Sequence, residues 1–315
     1  MGQIPLFDAH CDTLLHLYNT GEGLIQNQAQ VDLERSAYFA PYAQFFAIFQ
    51  DGAKPGPDLW DQFCAMADLF ECEVRRSSEQ VCHCRTARDA QRAAKQGKAA
   101  AFLSVEGAEL LECSVERLER AHRIGVRAVT LTWNHANALS GSHCDEPQRG
   151  LSARGMEFVA AMRRLGMLID VSHLSDAGFW DVIGGSPGPL IATHSNARGI
   201  QFHTRNLTDN QITAIINNRG VIGLNLYTPF VGDEGCGVDR LTAHLEHIWQ
   251  LGGENAAALG GDWDGAAGRM PRGFRDIRDW RVLFDALLAR NYPERLLKNL
   301  FYNNMLRIVS EVCST

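Results

Sequence analysis

The chain has 315 residues, 45% of them hydrophobic and 21% charged, with a formal net charge of −7. That composition belongs to a folded globular protein and excludes disordered, collagen-like and coiled-coil chains. The acidic balance argues against a nucleic-acid partner, and no apolar run approaches the ~20 residues needed to span a bilayer, so no membrane partner is expected either.

In chain order, short apolar runs alternate with longer helical stretches. Strands are predicted at Ile4–Ala9, Ala43–Phe49, Ala100–Val105, Ala128–Thr132, Met167–Val171, Leu190–Thr193, Val221–Leu226 and Ala256–Gly260. Most are apolar along their whole length, the pattern of parallel strands covered on both faces. Among the helices, Leu151–Leu165 has Ser152 as its N-cap and Gly166 as its stop, with Met156, Val159, Ala160 and Met162 spaced for one buried face. Thr208–Asn217, Val238–Leu251, Asp279–Ala289 and Glu294–Val309 carry similar signals. Trp60, Trp180, Trp249 and Trp280 are expected to pack on helix faces.

Eight strands, each followed by a helix or a long loop, point to an α/β fold: one (β/α)₈ TIM barrel occupying residues 1–315 as a single domain. A doubly wound open sheet is the competing architecture. It calls for a glycine-rich phosphate turn after the first strand, and Ala9-His10-Cys11-Asp12 is no such turn. The nine cysteines, odd in number and scattered, suit a reducing compartment, and no basic-then-apolar leader opens MGQIPLFDAHCD, so a cytoplasmic location is expected. Cys82-His83-Cys84, with Cys72 upstream, lacks the spacing of a structural zinc site and reads as ordinary thiols.

The ionisable residues fall at strand ends. His10 and Asp12 end the first strand, Glu106 the third, His173 the fifth and His194 the sixth, while Asp262 and Asp264 end the eighth. In a barrel all of these lie on the C-terminal rim and face one axis. His10 and Asp12, two apart on an extended chain, are expected to leave the same face. Three histidines with several carboxylates suit Zn²⁺ or a similar divalent ion. One His-x-Asp alone would be a weak motif, but charges gathered at successive strand ends are costly to bury unless paired or metal-bound.

The segments FDAHCDTLL, SVEGAE, IDVSHLS, ATHSNAR, TRNLTD, GLNLYTPF, LGGDWDG and NNMLRIV, in that order along nearly the whole chain, resemble the membrane (renal) dipeptidase family of binuclear zinc peptidases, within the amidohydrolase-like barrels. The resemblance implies two zinc ions, other divalent metals being able to share the ligands: His10, Asp12 and Glu106 on one, and Glu106, His173 and His194 on the other, with Glu106 bridging. It further implies Arg205 on the substrate's carboxylate, Tyr227 in the pocket, and the aspartate after the eighth strand as proton shuttle. Asp262 is first choice for the shuttle and Asp264 second. The implied activity is hydrolysis of dipeptides with a free C-terminal carboxylate by a hydroxide bridging the metals, in a homodimer.

The chain departs from the family at one point. Better-studied members read Leu-Thr-His after the fourth strand, with that histidine polarising the substrate carbonyl, and here the run is Leu131-Thr132-Trp133-Asn134-His135. Either His135 takes over the task, or Trp133 reshapes the pocket for N-acyl amino acids or other small amides and lactams, or His135 only bonds loop backbone. A barrel that binds metal without turnover is the non-enzymatic alternative, weakened by the presence of both Glu106 and Asp262. Asp170 could orient a ligand histidine or cap a strand end. The arginines at 269, 272, 275, 278 and 281, interleaved with Asp276 and Asp279, are expected on a solvated face, although the run follows the eighth strand and could line the mouth and attract anionic substrates.

Overall fold

In the computed structural model, which describes residues 3–52, 58–185 and 187–314, the strands are β1 (Leu6–Cys11), β2 (Tyr42–Phe49), β3 (Val81–His83), β4 (Ala99–Glu106), β5 (Val126–Thr130), β6 (Leu168–Asp170), β7 (Ile191–Ala192), β8 (Val221–Leu224) and β9 (Ala257–Leu259). All neighbouring pairs are parallel, and the pairing of β2 with β4 closes β1, β2 and β4–β9 into an eight-stranded barrel with helices outside. The eight predicted strands are these eight. The extra strand, β3, lies in the Cys82-His83-Cys84 segment and pairs with Ala99–Ala101 at the start of β4, while β5 pairs with the rest of β4. Three residues, only one of them fully buried, leave little strand signal in the sequence.

Register decides what fills the barrel. Phe7 pairs with Ala43, Phe45 with Phe102, Phe49 with Glu106, Glu106 with Thr130 and Thr130 with Asp170, so these side chains share the inner face. The lower interior is apolar: the rings of Phe7, Phe45 and Phe102 lie 5.1–5.9 Å apart. Tyr302, from the C-terminal segment, meets Phe7 at 5.9 Å, and Met305, Ile308 and Val309 join the same buried cluster. The upper interior turns polar, which places the barrel's chemistry at its C-terminal mouth.

β1 carries a feature that alternation alone would miss. Asp8 pairs with Gln44 but Cys11 pairs with Phe46, so β1 holds one residue more than β2 over this stretch. This β-bulge turns His10 inward beside Ala9 and leaves Cys11 outward in the barrel–helix core. Asp12 has left the strand altogether (φ −101°, ψ 20°) and stands at the N-terminus of the helix Thr13–Thr20. The two residues do converge, but through a bulge and a helix start rather than through two-residue alternation.

The helix Ala153–Leu165 has the expected caps: Ser152 accepts from the Gly155 amide, and Gly166 is left-handed. Its buried face, however, is Gly155, Phe158, Val159, Ala161 and Met162, while Met156 and Ala160 are exposed. Trp60 and Trp280 are buried and Trp249 partly so, but Trp180 is exposed. The C-terminal helix is interrupted: Glu294–Lys298 and Asn304–Val312 are α-helical, and Asn299–Asn303 between them is a π-turn that presents Leu300, Phe301 and Tyr302 to the core.

Candidate metal centre

Six of the residues singled out by sequence meet at the mouth. His10, Asp12 and Glu106 form one group whose ligand atoms lie within 4.8 Å of one another; Glu106, His173 and His194 form a second, and His10, His194 and Asp262 a third. The Glu106 carboxylate divides its oxygens between the groups. Oε2 is 3.5 Å from His10 Nε2, while Oε1 is 3.0 Å from His173 Nε2 and 3.4 Å from His194 Nε2. The two imidazole nitrogens of His173 and His194 are 3.1 Å apart. Two nitrogen lone pairs so close, facing one carboxylate oxygen, make a cation-binding arrangement.

The residues fit a divalent metal on other grounds as well. Among the described residues, His10 Nε2 and Asp12 Oδ1 are buried with no hydrogen-bond partner, and Asp12 makes no side-chain bond to the helix it precedes. A Cβ on Gly265 would collide with the carboxylates of both Asp12 and Asp262, so the chain keeps a glycine where the two acids close on each other. Without cations, burial dictates the charges. Glu106 is pushed up to about 8, first by burial and then by the Asp12 carboxylate. Burial would lower His10, but the fields of Glu106 and Asp12 hold it well above the usual histidine range. His173 and His194 are driven well below that range by burial and then by nearby cations, Arg205 among them, so both are neutral and ready to ligate.

The orientation of each candidate ligand is set by neighbouring groups, of which the sequence singled out only Asp170. Asn134 Oδ1 accepts from His173 Nδ1 at 2.9 Å and from His143 Nε2 at 3.0 Å. For His194 the chain of bonds is longer: Thr193 Oγ1 donates to Asp170 Oδ2 and accepts from His194 Nδ1 at 2.7 Å. Because the carboxylate can only accept, the hydroxyl proton is committed to it, and His194 must carry its proton on Nδ1, leaving Nε2 free. Asp170 also takes the Ser172 and Thr193 amides and the Thr130 hydroxyl, so it orients a ligand and fastens strand ends at once. Asp8, on the outer face of β1, receives the His10 and Gly261 amides and both the Trp263 and Trp280 indoles, tying the bulge to the loop that bears Asp262.

Asp262 faces the cluster, with Asn225 Nδ2 donating to its Oδ2 at 2.9 Å and burial raising its carboxyl. Asp264 does not: it accepts from Thr13 Oγ1 and the Gln30 amide, both at 2.6 Å, and latches the first helix to the loop. His173 and Asp262 both hold left-handed backbones (φ 64° and 57°), each costing about 1–3 kcal/mol, as at strained functional sites. Arg205 is buried, donates to Ser195 Oγ at 2.6 Å and to the His194 carbonyl at 2.9 Å, and its Nε has no partner among the described residues; burial lowers it only to about 10, so it stays charged. Tyr227 packs edge-on to Phe230 at 4.7 Å, and the Arg205 guanidinium lies over that same Phe230 ring at 5.7 Å.

His135 is not brought into the cluster. Its side chain is half exposed, with Nε2 3.5 Å from Asp51 Oδ1 and its ring edge against Trp133. Trp133 packs against Phe49 at a tilt, 4.8 Å between ring centres, and lies 6.4 Å from His173, forming an aromatic wall at the mouth. The expectation that His135 would extend the strand face fails because β5 ends at Thr130 and the following turn directs Asn134, rather than His135, onto His173.

A parallel eight-stranded barrel with histidines and carboxylates gathered at its C-terminal mouth defines a metal-dependent hydrolase of the barrel type. A sequence profile of the membrane dipeptidase family, peptidase family M19, matches residues 1–315. An uncharacterized protein of the pqqA 5′ region of Klebsiella pneumoniae is 31% identical over 265 residues, covering 81% of this chain and 96% of its own. An uncharacterized dipeptidase of Schizosaccharomyces pombe is 33% identical over 220 residues, covering 67% of this chain and 53% of its own. Among solved structures, a metallo peptidase from Rhodobacter sphaeroides, liganded with a phosphinate mimic of the dipeptide L-Ala-D-Ala, superposes with a TM-score of 0.90 at 28% identity over 99% of this chain and all of its own. A second family M19 dipeptidase gives 0.90 at 29% identity, with both chains fully covered. The chain belongs to the membrane dipeptidase family and is a metal-dependent peptide hydrolase.

Proposed function

We propose that the cluster holds two divalent ions, zinc by preference, and that the protein hydrolyses dipeptides bearing a free C-terminal carboxylate. The observation that carries this is the split of the Glu106 oxygens between His10 on one side and His173 and His194 on the other, 3.0–3.5 Å away. When bound, such ions polarise a carbonyl and lower the pKa of water. His10, Asp12 and Glu106 would hold one, and Glu106, His173 and His194 the other.

The remaining work falls to the chain's own residues. Arg205, charged and buried beside the His194 carbonyl, fixes the substrate's carboxylate with its free N–H groups. Asp262, steadied by Asn225, takes a proton from the attacking water and returns it to the leaving amine as the C–N bond breaks and a C–O bond forms. Tyr227 and Phe230 shape the side of the pocket next to Arg205. The dipeptide mimic carried by the Rhodobacter sphaeroides relative supports this substrate class. The aromatic wall of Phe49 and Trp133 favours a second reading, N-acyl amino acids, in which an apolar acyl group replaces the amino-terminal residue. A cytoplasmic location is proposed on the nine cysteines, all of them unpaired.

The test is turnover of L-L and L-D dipeptides alongside N-acyl amino acids, before and after metal stripping and zinc re-addition. Dipeptide cleavage lost with the metal and restored by zinc is expected. Turnover confined to N-acyl compounds would move the assignment to the second reading.

A further inference from the structure

The arginines that follow β9 are not equivalent. Arg275, Arg278 and Arg281 each face a carboxylate, at 3.6 Å from Asp279, 2.6 Å from Asp276 and 2.9 Å from Asp285. Arg269 faces none among the described residues. Its NH1 donates to the Tyr227 hydroxyl at 3.1 Å, its guanidinium lies over the Tyr227 ring at 5.4 Å, and its carbonyl accepts from the Thr228 amide at 2.8 Å. The side chain is therefore fixed by neutral partners while its charge stays uncompensated. The place where it is fixed belongs to the rim of the site: the Tyr227 amide donates to Asn225 Oδ1, the same side chain that holds Asp262, and the Tyr227 ring packs on Phe230, over which Arg205 lies. Two guanidiniums thus flank one aromatic shelf, Arg205 buried on the Phe230 side and Arg269 exposed on the Tyr227 side.

We propose that Arg269, held by Tyr227, is a second anion-binding point of the mouth and that the site favours dipeptides whose C-terminal residue carries a side-chain carboxylate. The inference rests on the dipeptidase reading, in which Arg205 takes the α-carboxylate of that same residue. With the α-carboxylate on Arg205, the side chain of the C-terminal residue extends along the Tyr227–Phe230 shelf toward Arg269. A guanidinium presents paired N–H donors to a carboxylate and cannot offer them equally well to a neutral amide, so aspartate and asparagine, nearly equal in shape, are told apart by charge. Because Arg269 is exposed, the discrimination is modest, about fivefold, and weakens with salt.

The experiment uses the zinc-loaded full chain and measures kcat and KM for Ala-Ala, Ala-Asp, Ala-Asn, Asp-Ala and Asn-Ala, in whichever configuration Ala-Ala is cleaved. The expected result is a kcat/KM ratio of Ala-Asp to Ala-Asn of about five, carried by KM, with no such ratio between Asp-Ala and Asn-Ala. Arg269→Gln should bring the first ratio to about one. Arg275→Gln, the same change of net charge elsewhere in the run, should leave it intact. Equal rates for Ala-Asp and Ala-Asn in the unaltered protein, a ratio that survives Arg269→Gln, or a preference for the acid in the first residue would each overturn the proposal. If Ala-Ala itself is not cleaved in either configuration, it is the dipeptidase reading that fails.

Discussion

Asn134 and His173 are joined by a 2.9 Å hydrogen bond from the imidazole Nδ1 to the amide oxygen, and the same oxygen receives His143 Nε2 at 3.0 Å. An acceptor shared in this way fixes both rings and forces His173 to present an unprotonated Nε2 to Glu106. His143 is anchored a second time through its backbone amide on the His173 carbonyl, and its Nδ1 accepts from Thr204. Burial, then the charge of Arg205, lowers His143 to about 3, so it remains neutral and cannot repel a bound cation.

It follows that Asn134, and not its neighbour His135, governs the His173 side of the candidate metal cluster. Asn134→Ala should weaken metal binding by about 10- to 100-fold, the usual cost of losing a group that orients a ligand. His135→Ala, altering a half-exposed ring on Asp51, should change kcat by less than about twofold. Metal titration of the stripped protein and steady-state kinetics on both variants check this. A His135→Ala enzyme slowed tenfold, with Asn134→Ala unaffected, would reverse the assignment.

The sequence exposed the barrel because most of its strands are near-continuous apolar runs, and it exposed His10, Glu106, His173, His194 and Asp262 because strand ends of a barrel are where ionisable groups must face one axis. What it hid depends on closure. Asn134, Thr193 and Asn225 are common polar residues whose partners lie 23 to 39 positions away in most cases, so no local pattern marks them, while Asp170, open in the sequence between orienting a ligand histidine and capping a strand end, does both. The bulge that turns His10 inward arises from a one-residue mismatch between β1 and β2, a relation between two strands and not a property of either. The misplaced face of Ala153–Leu165 has a similar origin: Met156 and Ala160 lie one turn apart on a flank of the helix, and packing selected the stripe containing Gly155 and Phe158 instead.

Gly265 offers a test that touches no ligand. A Cβ there would meet the carboxylates of Asp12 and Asp262 together. Gly265 does not have the positive φ that would itself demand glycine, so Gly265→Ala is expected to fold and to act through the site. Displacement of the two acids should cost about 100-fold in kcat/KM, the scale of a misplacement near 1 Å. Circular dichroism should remain that of the parent. Full activity in a folded Gly265→Ala protein would show that the acids have room to part.

Removal of the metal should reshape the pH dependence of stability. In the stripped protein Glu106 is pushed up to about 8 by burial and the Asp12 carboxylate, and His10 is held well above the usual range by the field of Asp12, joined by that of Glu106 once its carboxyl ionises. An unfolded chain has released both protons once the pH passes about 6.5. From there upward the folded state binds more protons than the unfolded one, so its stability falls as pH rises through the raised values. His173 and His194 act in the opposite sense and in a different window: lowered by burial, they cannot take the protons that unfolded histidines take below about 6.5, so their contribution grows with pH only up to that point. Divalent ions that replace the protons of His10 and Glu106 relieve the penalty, and their binding strengthens as pH rises. The melting temperature of the stripped protein should therefore drop between pH 6.5 and 8, and the increase brought by saturating zinc should be larger at pH 8 than at pH 6.5. Thermal melts with and without chelator at the two pH values measure both effects. A stripped protein that melts higher at pH 8, or a zinc increment that shrinks with pH, would mean that the buried protons of this cluster are not what the metal displaces.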